Sequence, residues 1–88
     1  MTKRAKLEII RDILDIIQKN RKIKPTPLLR QSNMSSSRFK EYFSELLEKK
    51  FLTEISYNGS KFISLTDKGQ KFLEKYKTII SFIDEFEL

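Results

Sequence analysis

Apolar positions in the first twenty residues recur every three or four places. Leu7, Ile10, Leu14 and Ile17, widened by Ile13, form one stripe and predict a helix over residues 3–19. On its polar side Arg4 and Glu8, Arg11 and Asp15, and Asp15 and Lys19 stand four apart, each pair contributing about 0.3 kcal/mol. Ile9 and Ile16 lie outside the stripe, one heptad apart. They are either ordinary surface apolar residues or part of a second contact. Residues 20–24 interrupt the helix, and Ile23 between Lys22 and Lys24 predicts a short strand ahead of Pro25.

Residues 25–50 return to helical spacing in two pieces. Pro27 suits a first helical position after a Thr26 cap. Leu28 and Leu29 give this short helix an apolar side, and Asn33-Met34 ends it. Ser35, Ser36 and Ser37 then offer N-cap oxygens to a longer helix over 36–49. Phe39, Phe43, Leu46 and Leu47 share its buried face, opposite Ser37, Glu41, Ser44 and Glu48, with Arg38 and Lys40 on the flanks. A short helix, a tight turn and a longer amphipathic helix make the helix-turn-helix plan.

After Lys50 the period drops from helical to two. Residues 52–57 and 60–65 flank Asn58-Gly59, a dipeptide that favours the type I′ turn of a β-hairpin. A two-residue turn sets Leu52 opposite Leu65, with Ile63 on the same, core-facing side. It also gathers Ile55, Tyr57 and Phe62 on the other face, which is too apolar for open solvent. Either the turn is longer and the register differs, or that face is covered. Thr66-Asp67 then caps a last helix over 67–88. Phe72, Tyr76, Ile79, Ile83 and Phe86 form a heptad seam widened by Leu73 and Ile80, with Phe82 elsewhere. Twenty helical residues span about 30 Å, more than so small a domain needs. The distal half is therefore expected to pack against a second copy through Tyr76, Ile79, Ile80, Ile83 and Phe86, with Ile9 and Ile16 joining. The chain reads as one domain, 1–88, mainly α with a small β-hairpin.

Charge changes the picture. The 88 residues carry a net +6, concentrated in the first fifty, and no acid occurs between Asp15 and Glu41. That gap holds Lys19, Arg21, Lys22, Lys24, Arg30, Arg38 and Lys40, a distribution that favours a polyanionic partner. From Thr78 onward the only charges are Asp84, Glu85 and Glu87, so this end should point away from nucleic acid. The chain has neither cysteine nor histidine, which removes disulfides, thiol nucleophiles, Ser-His-Asp triads and ordinary zinc sites. Asp12 and Asp15 read as a solvated face rather than a catalytic pair. No enzyme activity, metal or cofactor is expected. No run is long enough to span a bilayer and no signal-peptide core opens the chain, so a cytoplasmic, nucleoid-associated location is expected.

The stretch from Phe62 to Leu73, FISLTDKGQKFL, is similar to the Leu-Thr-x-x-Gly-x-x-x-Leu signature of winged-helix transcription regulators. Together with RFKEYF at 38–43 and LLEKKFL at 46–52, it resembles the archaeal ten-kilodalton winged-helix DNA-binding proteins. The resemblance runs from about Lys6 to Tyr76. It implies a winged helix-turn-helix with a long C-terminal helix, a double-stranded DNA partner, and a homodimer through an antiparallel coiled coil. One departure is Lys50, which stands where the family usually has a helix-ending glycine, so a lysine there must accept positive φ.

On this reading residues 35–44 enter the major groove. Ser35, Ser36, Ser37 and Ser44 would meet phosphate and base edges, Arg38 and Lys40 would make charged contacts, and Glu41 would either accept from a cytosine amino group or serve as a structural helix-surface glutamate. Lys24, Thr26 and Arg30 sit where the preceding helix crosses the backbone, and Asn58, Ser60 and Lys61 form a wing tip. Two other readings stay open. One is a protein–protein module using Ile55, Tyr57 and Phe62; the other is a chromatin-type protein that coats DNA with little sequence preference.

Overall fold

The computed structural model describes residues 3–87, with side chains from Lys6 onward. Helix α1 spans Lys3–Asn20, strand β1 Lys22–Ile23, helix α2 Pro25–Ser32 and helix α3 Ser36–Glu48. Strands β2, Leu52–Tyr57, and β3, Ser60–Leu65, form the hairpin, and helix α4 runs from Asp67 to Glu85. The strands make an antiparallel sheet in the order β1-β3-β2.

Ile13, Leu14 and Ile17 of α1 are fully buried and meet Leu28 of α2, Leu46 of α3, and Leu52 and Ile63 of the hairpin. No polar side chain is buried among the described residues, so this small core carries no desolvated hydrogen-bonding group to satisfy. The stripe on α1 is shorter than its spacing implied. Leu7 is 43% exposed, because it stands at the open rim of a hollow that α1 shares with Leu46 of α3, Phe51 and Phe72. Ile9 and Ile16, by contrast, are half-buried against the chain's own core.

Helix ends also depart from the pattern. Helix α2 starts at Pro25 with Lys24 as its N-cap, so Thr26 lies inside the first turn and does not cap it. Both prolines are tolerated there, since first-turn N–H groups have no intrahelical partner to lose. Of the polar pairs on α1, Lys19–Asp15 forms at 3.0 Å. Arg11 turns instead to Asp12 at 2.8 Å and lies 5.4 Å from the Tyr76 ring centroid. The Arg4 side chain lies outside those described.

The hairpin adopts the two-residue turn, with Leu52 opposite Leu65 and Ile55 opposite Phe62. Asn58 and Gly59 both have positive φ, 50° and 78°, as the type I′ geometry requires. Ile23 pairs with Ile63, so β1 extends the sheet beyond β3.

All four helices stop at a left-handed residue that is not glycine: Arg21, Asn33, Lys50 and Glu87, with φ of 63°, 57°, 64° and 55°. After α3 the amide of Phe51 donates to the Leu46 carbonyl at 2.9 Å and that of Lys50 to Leu47 at 3.1 Å, which is the Schellman pattern. Helix α4 begins against this end. The Thr66 hydroxyl accepts from the Gly69 amide at 3.2 Å and donates to the Lys50 carbonyl at 2.6 Å. A Cβ at Gly69 would overlap the Phe51 carbonyl oxygen. The Leu-Thr-x-x-Gly signature is thus a joint between α3 and α4.

Lys50→Gly should stabilise the protein by about 1 kcal/mol, the cost of a side chain at positive φ, and raise Tm by about 4–8 °C. Gly69→Ala should lower Tm well below wild type. Thermal denaturation followed by circular dichroism checks both.

Candidate nucleic-acid interface

Helix α3 owes its orientation to what it buries. Phe39 and Leu46 are buried, Phe43 and Leu47 are half-buried beside them, and the Phe39 and Phe43 rings stack at 5.4 Å. With that face fixed, Ser36, Ser37, Arg38, Lys40, Glu41, Ser44 and Glu48 are all exposed. Ser35 is the N-cap, its hydroxyl accepting from the Arg38 amide at 3.4 Å. The first turn contains no acid, so an approaching phosphate meets the positive end of the helix dipole without a competing carboxylate.

The other expected site residues fall in two further places. Thr26 and Arg30 are exposed at the start and last turn of α2. Asn58 and Lys61 are exposed at the hairpin tip, whereas Ser60 is half-buried. Lys24 belongs with the hairpin rather than with α3, since its ammonium lies 5.8 Å from the Phe62 ring centroid. Glu41 lines a shallow hollow of about 250 Å³ with Lys6, Tyr42 and Glu45, on the flank of α3 nearest α1.

Sequence reasoning passed over Lys22 as a site residue. Its ammonium sits 3.7 Å from the Tyr57 centroid and 5.1 Å from that of Phe62. No local pattern marks it: the pairing of Lys22 with Ser64, fixed only in the sheet, places it on the same face as the aromatics. Of the two options for this hairpin face, register holds and partial cover is what occurs. The lysine ammonium groups lie over the rings, yet Tyr57 remains 55% exposed.

The α3 flank is pinned to α1 by Lys6, which donates to Glu45 Oε1 at 3.0 Å. That hydrogen bond, with Lys49 adding its charge, holds the Glu45 carboxyl below the usual glutamate range against the opposing effect of burial. Among the described residues no three potential metal ligands converge, and no helix is long and apolar enough to cross a membrane.

The matches to known proteins agree with this arrangement. A family model described as winged helix-turn-helix matches residues 3–84. The chain belongs to that family. No curated protein sequence matches it. Among solved structures the winged helix is similar to that of Sso10a-2, a DNA-binding protein from Sulfolobus solfataricus. That match has a TM-score of 0.73 and 20% identity, and covers 92% of this chain and 83% of the other. SSV1 F-93 superposes with a TM-score of 0.69 at 26% identity, covering 89% of this chain and 91% of its own. The first likeness carries the fold alone. In winged-helix terms β2 and β3 are the wing, and α3 occupies the place of the recognition helix.

Glu45→Gln should cost about 0.5 kcal/mol at neutral pH. Because the carboxyl is held low, its contribution is complete above about pH 4.3 and fades as pH falls through the lowered value. Urea titrations of the two proteins should therefore differ at neutral pH and converge in acid.

Proposed function

We propose that this winged helix binds double-stranded DNA as a dimeric transcription regulator, with α3 in the major groove. The observation that carries the reading is the first half of α3: acid-free in its first turn, small and cationic on its outside, and locked to the core by Phe39 and Leu46. Ser36, Ser37, Arg38, Lys40 and Ser44 contact backbone and base edges, Thr26 and Arg30 touch the phosphates that α2 crosses, and Asn58 and Lys61 reach from the wing. That Sso10a-2 is itself a DNA-binding protein supports the same reading.

Dimerisation follows from α4. Its first half packs on the domain through Gly69 and Leu73, which are buried, while Tyr76, Ile80 and Ile83 are half-buried. Beyond that, Ile79, Phe82 and Phe86 are 56%, 54% and 58% exposed. They recur at three and four residues, and Phe82 packs on Phe86 at 4.8 Å. Three large apolar residues in one exposed row call for a partner. The contact is an antiparallel pairing of two α4 helices, which sets the lysine-rich first half of one beside the acidic end, Asp84 to Glu87, of the other. Ile9 and Ile16, mostly turned into their own core, stand at its margin.

Arg38→Ala should weaken binding to a labelled duplex by about 1–3 kcal/mol, and Lys75→Ala by less than about 0.5 kcal/mol. Equal losses would refute the groove assignment. Binding should fall with salt at a log-log slope of about −0.9 per phosphate contacted. Selection from random duplexes then separates a regulator, which enriches one site, from a coat, which enriches none. In sedimentation equilibrium Ile79→Asp should convert a dimer to a monomer; a wild-type monomer at all concentrations would remove the dimer.

A further inference from the structure

The outer face of the wing is not used by the groove-binding helix, and its composition is unusual for a solvent-facing sheet. Cross-strand register places Thr53, Ile55, Tyr57, Phe62, Ser64 and Lys22 on it, with no acid among them. Tyr57 is 55% and Ile55 38% exposed. The Tyr57 and Phe62 rings meet edge to face with centroids 6.5 Å apart, and Lys22 and Lys24 hold their ammonium groups over these rings.

We propose that this face is a binding platform for single-stranded DNA, on which Tyr57 and Phe62 stack against unpaired bases while Lys22 and Lys24 take the adjacent phosphates. Each feature of the ligand answers one of the face. Two separate aromatic surfaces call for planar, unpaired rings, which a duplex keeps stacked inside itself. Their 6.5 Å separation is about twice the 3.4 Å rise per base of a stacked strand, so successive bases must splay onto separate rings. The lysines and the absence of acid call for a polyanion rather than an ordinary protein surface. In the free protein each ammonium shields a ring; on binding it swings to a phosphate, and the base takes its place on the ring. The site lies on β1 and the hairpin, so it stands or falls independently of the α3 reading.

Anisotropy of a labelled oligodeoxythymidine of about 12 nucleotides, set beside a blunt duplex, tests the platform. Tyr57→Ala should weaken the single strand about tenfold and leave the duplex unchanged, and Tyr57→Phe should restore wild-type binding. Arg38→Ala should show the opposite pattern, losing duplex and keeping the single strand. Circular dichroism confirms that the variants are folded, as the exposure of Tyr57 leads one to expect. The proposal is overturned if wild type ignores the oligonucleotide at low salt, or if Tyr57→Ala binds it normally. Loss of the duplex to the same extent as the single strand would make the face a duplex contact and overturn it too. Tighter binding of oligouridine would overturn the assignment to DNA.

Discussion

The close approach between the first turn of α4 and the end of α3 is the constraint on which the rest depends. The Phe51 carbonyl sits where a side chain at position 69 would be. The same carbonyl accepts from the Thr66 amide at 3.2 Å, and Lys68 reaches the Lys49 carbonyl at 2.9 Å while lying 4.6 Å from the Phe51 ring centroid. Phe51 in turn meets Phe72 edge to face at 5.6 Å. One glycine, one threonine and one aromatic pair therefore fix the helix that faces outward relative to the helix that leaves the domain.

Everything upstream of that joint serves to present α3. Serines are modest helix formers, and three of them open this helix. It persists because its other side is anchored in the core and because Ser35 satisfies a first-turn amide. The Lys6–Glu45 bridge adds a tie to α1 at the flank. Polar, weakly helical outside and apolar inside is a division of labour: the exposed side is left free of folding duties and the buried side supplies the folding energy. Charge is divided in the same way, since the first turn of α3 holds no acid.

Much of this was legible in the chain because local rules and the fold agree. The hairpin register followed from Asn58-Gly59, and β1 from Ile23 between two lysines. Positive φ at Lys50 followed from a lysine in a glycine's place. Other features depend on three-dimensional context. Nothing in the spacing separates Leu7, at the open rim of the hollow beside Phe51 and Phe72, from Ile10 one turn later. The start of α2 was misplaced because Pro25 and Pro27 both fit a first turn. The heptad seam on α4 split because Leu73, Tyr76 and Ile80 turn toward Arg11 and Asp15 of α1. That leaves Phe82, set apart in the periodicity, in the exposed row with Ile79 and Phe86. Lys22 escaped notice because cover by a lysine ammonium is a tertiary contact between β1 and β2.

The tip of the wing carries one further implication. A Cβ built at Gly59 would touch nothing within 4 Å, so the turn points into open space at that residue. Residues added there in matched numbers on both strands leave the pairing of Leu52 with Leu65 intact and lengthen the arm by about 3.4 Å per pair. An unmatched insertion within one strand would instead turn every side chain beyond it to the other face. The reach of the wing is thus an adjustable dimension, free to drift among descendants of this chain while the core and the joint at Gly69 stay fixed.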